Sequence, residues 1–280
     1  MVAQSLLAHP EDPTAFARSF AWRLRGWLLG LPAGVGFGTL RALLKLMIGV
    51  PADRSGVASA GNGSAMRVAI LGAALADDPE RLEAFVRASS RVTHVDERAV
   101  EGALVVARAT AAATRGDVEP ELLLRELDDG IAGEELARSL EALAASLAAG
   151  ETAEVFADRL GLTKGVSGYV NHCVPIALHC WLRQPTDFRA AVSEAVRLGG
   201  DTDTTAAVVG GMAGACVGVS GLPRDWLEGL AEWPRSRAWM TRLATRLAGL
   251  TPGEPAAGPL RLAWPAIVPR NALFLAVVLA

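Results

Sequence analysis

Aromatic residues make up only 5% of this 280-residue chain, tyrosine occurs once, and runs of alternating apolar and polar residues are hard to find. That scarcity argues against a β-sandwich or barrel, whose strands draw on aromatic and β-branched side chains. Cysteine is also sparse. Three residues, an odd number, argue against a disulfide framework and point to a reducing compartment. Charge of one sign is missing too: the net charge is -3 and the arginines are scattered, so no footprint for nucleic acid exists. Residues 1–10 lack the basic start and long apolar core of a signal peptide, and the apolar stretch 271–280 is too short to span a bilayer. The expectation is a cytoplasmic, monomeric protein with neither nucleic acid nor membrane as a partner.

What is present is helical periodicity. Hydrophobic residues account for 51% of the chain, and apolar positions recur at steps of three and four. In Glu80–Ser89, Leu82, Phe85 and Val86 form one stripe while charges take the other face. Similar patterns cover 14–30, 38–49, 64–76, 97–115, 134–148, 152–160, 169–183, 186–198, 204–218 and 235–249, punctuated by glycine and proline. The expected fold class is all-α: one packed helical domain over residues 1–250. A Pro/Gly-rich linker at 251–259 and an apolar tail complete residues 251–280. The tryptophans are assigned to the core.

Several segments imitate motifs. Gly34-Val-Gly-Phe-Gly38 lacks both the third glycine at the right spacing and the preceding strand of a dinucleotide loop. Asp77-Asp78-Pro79-Glu80 reads as a helix cap, and Asp128-Asp129-Gly130 as a turn. His172-Cys173 and His179-Cys180 share a helical face, but no second Cys/His pair completes a zinc shell, so packing is the better reading.

Four segments resist that treatment. Leu198-Gly-Gly-Asp-Thr-Asp-Thr204 places Asp201, Asp203 and Thr204 on a glycine turn that opens an Ala/Gly-rich helix. Hard oxygen donors on a short loop suit Mg²⁺ or Mn²⁺; capping is the alternative, accounting readily for one Asp but not two. Gly61-Asn62-Gly63-Ser64-Ala65-Met66-Arg67 exposes backbone N–H groups at a helix start, an anion site or simply a glycine-rich turn into a helix. His94, between two helical patterns, is either a dipole-stabilised ring or a cleft residue. Tyr169 follows a glycine at a helix start and is either a ligand-stacking ring or a core one.

Together these segments resemble the ADP-ribosylglycohydrolase family, dinitrogenase-reductase-activating glycohydrolases included, in the family's order and over roughly residues 20–235. The matching pieces are Gly61–Arg67, Thr93-His94, Gly168-Tyr-Val170 with Val174-Pro175, and Leu198–Thr204 followed by Ala206-Ala207 and Gly210-Gly211. The resemblance implies an orthogonal multi-helix fold that holds two Mg²⁺ ions, sometimes Mn²⁺. It implies hydrolysis of the glycosidic bond joining ADP-ribose to a protein side chain or small acceptor. Asp201 and Asp203 would then be catalytic, and Asp201, Asp203 and Thr204 metal ligands. Gly61 through Arg67, His94 and Tyr169 would bind substrate. Family members also carry a Gly-Asp-Ala-Leu-Gly-like segment and a Ser/Thr-Asp-Asp-Thr motif, neither of which occurs upstream of Gly61. The expectation is therefore an N-terminally incomplete site with impaired activity. A non-catalytic ADP-ribose-binding module and a fragment of a split enzyme are the alternatives.

Overall fold

The computed structural model describes residues 1–251, 253–254 and 256–279. Pro252, Pro255 and Ala280, which belong to the expected linker and tail, lie outside the described residues. Fifteen α-helices follow one another: α1 Val2–Ala8, α2 Pro13–Leu29, α3 Phe37–Met47, α4 Ala69–Ala74, α5 Pro79–Arg91, α6 Glu97–Arg115, α7 Pro120–Asp128, α8 Glu134–Ala148, α9 Ala153–Arg159, α10 Val170–Leu182, α11 Phe188–Arg197, α12 Thr202–Val217, α13 Arg224–Gly229, α14 Arg237–Ala248 and α15 Ile267–Leu279. Among the described residues there is no strand, only three isolated backbone bridges. The all-α expectation holds.

Two helices make the centre, and their composition explains why. α10 buries every residue except His172, as expected of a helix that is apolar on all sides. α6 is alanine-rich and packs against α4, α5, α10 and α12. Small residues at the crossings let backbones approach: a Cβ at Gly72 would fall 2.3 Å from the Ala107 carbonyl, and one at Gly102 2.3 Å from Val170 Cγ2. α12 presents Thr205, Val208, Val209, Met212 and Ala213, a spacing of three and four, to this core. His179 and Cys180 pack inside with Cys173, whereas His172 stays outside the core against Ser167 and Tyr169. None of the helices among the described residues is long and apolar enough to cross a membrane.

Helix starts follow local chemistry. Asp12, Asp78, Asp96 and Asp187 each accept hydrogen bonds from the first-turn N–H groups of the helix they precede. Asp77-Asp78-Pro79 is thus a cap, as read. Three expectations need correction. α7 is a helix that the periodic spans omit; it buries only Leu123, Leu124 and Leu127 from nine residues, too short a stripe to stand out. Trp22, Trp226 and Trp233 are exposed rather than in the core, whereas Trp181 is fully buried. The third is α13, whose six residues also escape the periodic spans. Residues of the expected tail contact the domain. Gln4 exchanges two hydrogen bonds with the Leu260 backbone, and Asn271 donates to the Gly30 carbonyl.

Candidate active site

Three loops that are distant in sequence are laced together by their backbones. Val57 exchanges hydrogen bonds with Thr93 and Val95, Asn62 N–H donates to the Gly168 carbonyl at 2.9 Å, and Val170 N–H donates to Ala60. On the far side, Asp201 N–H donates to Val166 at 2.7 Å and Val166 N–H to Gly199 at 3.1 Å. The turn is only possible with glycines, because Gly199 and Gly200 sit at φ 74° and 79°. These bridges carry four of the sequence motifs to one place.

The centre of that place is a side-chain contact: Asn62 Nδ2 donates to Asp201 Oδ2 at 2.8 Å, across 139 positions of sequence. Asp201 occupies the N-cap position of α12 yet makes no capping hydrogen bond, unlike the four capping aspartates above. The same carboxylate is held from another loop by Asn62, which a cap does not require. Partial burial pushes it up, but hydrogen bonding, from Asn62 first and then from Thr204, outweighs that and holds it below the usual carboxylate range. Asp203 stands next to it, exposed, and neither carboxylate has an Arg or Lys partner among the described ion pairs. A Cβ at Gly168 would come within 3.2 Å of Asp201 Oδ2, so the glycine keeps that oxygen accessible.

His94 closes the other end of the glycine loop. It is buried, its Nδ1 lies 2.7 Å from Thr93 Oγ1, and a Cβ at Gly61 or Gly63 would meet its Nε2 at 3.4 Å. Gly38 and Thr39, on the first turn of α3, also approach this point; a Cβ at Gly38 would lie 2.7 Å from Ser59 Oγ and 3.5 Å from His94 Nε2. The helix-dipole reading of His94 fails, since burial and the neighbouring Arg67 cation push the ring down to about 4. His179, stacked on Phe156, is likewise pushed down to about 4 by burial and then Arg183. A ring kept neutral in the fold gains a proton on unfolding between about pH 6.5 and pH 4, so stability is full above that window and is lost as pH falls through it. The loss is on the order of 2–3 kcal/mol per ring. Urea midpoints should drop clearly from about pH 7 to about pH 5; equal midpoints would contradict both assignments.

The remaining loop residues hold the site rather than line it. Ser64 and Ala65 are fully buried, and Ser64 Oγ donates to the Ala99 carbonyl at 2.8 Å. Arg67 donates to the Gly63 and Ser89 carbonyls and to Thr93 Oγ1, each at 2.8 Å, and its guanidinium covers Phe20. Burial pushes it down to about 9. Met66 is 46% exposed; with Thr39, Arg67 and Ala207 it borders a largely apolar cavity of about 560 Å³. Tyr169, half-buried at the rim, donates its hydroxyl to Glu135 and accepts from Asn171 Nδ2 at 3.2 Å, with the Arg98 guanidinium over its ring. Arg98 is in turn paired to Asp96. Sequence reasoning missed Glu135, Arg98, Gly38 and Thr39. Only Gly38 carried a signal, in the glycine run that does not fit a dinucleotide loop.

Asp201, Asp203 and Thr204 offer hard oxygen donors, and a carboxylate pair without a protein cation suits one Mg²⁺ or Mn²⁺ completed by water. No group of three or more His, Cys, Asp or Glu side chains gathers anywhere among the described residues. Asp201, Asp203 and Thr204 would hold one such ion.

The chain is similar to known proteins. The family model described as ADP-ribosylglycohydrolase matches residues 1–257. An uncharacterized protein of Archaeoglobus fulgidus is 32% identical over 235 residues, 82% of this chain and 72% of its own length. The ADP-ribosylhydrolase ARH3 of Bos taurus is 28% identical over 206 residues, 63% of this chain and 55% of that protein, so the chain spans about half of that relative. A solved structure described as an ADP-ribosylglycohydrolase-related protein complex superposes with a TM-score of 0.67 at 29% identity, covering 88% of this chain and 77% of that one.

Proposed function

The chain belongs to the ADP-ribosylglycohydrolase family, and on that premise we propose that its cleft binds ADP-ribosyl conjugates and hydrolyses their glycosidic bond weakly. The observation that carries this reading is the Asn62–Asp201 hydrogen bond, which couples the glycine loop to the paired carboxylates. The substrate is an ADP-ribosylated protein side chain or a small ADP-ribosyl acceptor. One chain suffices as the working unit, and three free thiols suit a reducing cytoplasm.

In this reading the diphosphate lies beside the Gly61–Gly63 loop, whose Gly61 and Asn62 N–H groups are held by Ser59 Oγ and the Gly168 carbonyl, and against the first turn of α3, where the positive end of the helix dipole favours an anion. Thr93 Oγ1 already accepts from Arg67. Its proton goes to His94 Nδ1, which leaves Nε2 as a neutral donor for a ribose hydroxyl. Tyr169 forms the acceptor-side rim. Asn62 fixes Asp201, and Asp203 takes the proton from the attacking water. The water oxygen bonds to the anomeric carbon as the acceptor leaves with a proton. Asp201, Asp203 and Thr204 would hold a Mg²⁺ ion, which when bound supplies a Lewis acid for water and ribose hydroxyls. Slow turnover is part of this proposal, because these three residues supply donors for a single ion.

Release of ADP-ribose from an ADP-ribosylated protein, with Mg²⁺ and with EDTA, tests this. Slow, EDTA-sensitive release is expected. Fast Mg²⁺-dependent turnover would sink the impairment. ADP-ribose binding that ignores EDTA, without any release, would favour a binding module instead.

A further inference from the structure

A second cavity, of about 650 Å³, opens between α1, α2, the start of α14 and residues 260–267; it shares Met1 and Trp27 with the cavity beside Met66 but none of the site's polar residues. Its walls hold three of the seven tryptophans, Trp22, Trp27 and Trp239. Its charged lining is Arg23, Arg25 and Arg235, with no Asp or Glu among the described lining residues. Aromatic faces and basic groups on one concave surface are unusual in a chain so poor in aromatics, and the size falls within the range of small-molecule pockets.

The cations differ in how far they are satisfied. Arg25 Nε donates to the Leu46 carbonyl at 2.8 Å, and its guanidinium covers Trp22. Arg235 lies 3.8 Å from Glu232, whose carboxylate also holds Arg270. Arg23 reaches only the Gln4 carbonyl, at 3.4 Å, and its Nε is buried with no hydrogen-bond partner. The other polar groups of the wall are spent: Gln4 on the Leu260 backbone and Trp239 Nε1 on the Arg261 carbonyl at 3.0 Å. The Arg23 Nε is closed to the cavity as well, but Arg23 as a whole is half-buried and lines the wall. Burial lowers its guanidinium. Positive potential is concentrated here.

We propose that this cavity is a binding site for a planar aromatic carboxylate, with its ring between the indoles and its carboxylate on Arg23 and Arg235. A neutral aromatic would leave the arginine-lined wall without a counter-charge. A small inorganic anion would leave the indoles uncovered, and an aliphatic acid would forgo stacking.

Titration of the full chain with 2-naphthoate, followed by tryptophan fluorescence, tests the assignment, with 2-naphthalenemethanol and decanoate as comparison ligands. Saturable binding of 2-naphthoate, tighter than of either comparison ligand, is expected. Arg23→Gln should weaken it at least about tenfold and Arg23→Lys should restore most of the affinity, since the acceptor needs a charged donor. The proposal is overturned by the absence of saturable binding, by equal affinity for the alcohol, by tighter binding of decanoate, or by an Arg23→Gln variant of unaltered circular dichroism that binds as well as the parent. Should Arg23→Gln not fold, the comparison of 2-naphthoate with the alcohol on the parent chain decides.

Discussion

Asp203→Ala should abolish Mg²⁺-dependent ADP-ribose release, a loss of at least about a thousandfold, as expected when a proposed general base that would also be a metal ligand is removed. The prediction rests on position. Asp203 is exposed beside the Asn62-anchored Asp201 and has no ion-pair partner among the described residues, so no structural contact requires its charge. Losing a carboxylate from the first turn of α12 costs only about 0.5 kcal/mol of helix-dipole stabilisation, and the fold survives. Mn²⁺ binding by calorimetry supplies a readout apart from activity. It should vanish in the variant while the melting curve moves by no more than a few degrees. Undiminished release, or undiminished Mn²⁺ affinity, would remove Asp203 from the site.

Gly200→Ala should destabilise the whole domain by about 2–4 kcal/mol, the range for a backbone forced out of a strained conformation. Gly200 sits at φ 79°, and a Cβ there would fall 2.1 Å from the Val166 carbonyl oxygen and 2.6 Å from Val166 N. Neither atom can yield, because Val166 O accepts from Asp201 N and Val166 N donates to Gly199 O. The melting temperature should fall on the order of 10 °C, and the Asp201 loop should lose its register with the glycine loop. Gly199→Ala is the control. It has a similar φ of 74° but nothing within 4 Å of the added carbon, so it carries only the left-handed penalty, about 1–2 kcal/mol. Equal effects of the two substitutions would show that the Val166 bridge is not what constrains the turn.

The legible part of this protein is the part set by near neighbours in the chain. The spans read for α6 and α8 coincide with the observed helices, because their stripes repeat over several turns and their ends carry capping or glycine signals. α7 escaped because nine residues hold too few repeats. The tryptophans misled for a different reason: large aromatic rings are usually buried, and only packing partners decide which are. Trp181 lies on a helix surrounded by others, whereas Trp22 lies on the outer face of α2.

The site divides along the same line. Gly-Gly-Asp-Thr-Asp-Thr and Gly-Asn-Gly were visible as motifs, since their chemistry depends on residues adjacent in sequence. Whether Asp201 caps a helix or serves a ligand was not visible, because both uses place the same residue at the same position of α12. What the tertiary structure adds is Asn62, 139 positions away, on the same carboxylate. The same holds for Arg67, the last residue of the loop read as an anion site, which is a buried brace in the fold. Glu135 reaches Tyr169 from the start of an ordinary amphipathic helix, with nothing local to mark it. Sequence by itself determined the helical class, the family and the inventory of site chemistry, all of which depend on short-range pattern. Tertiary structure alone decided which of those groups meet, because the bridges from Val57, Ala60, Gly168 and Val166 join segments that share no local pattern.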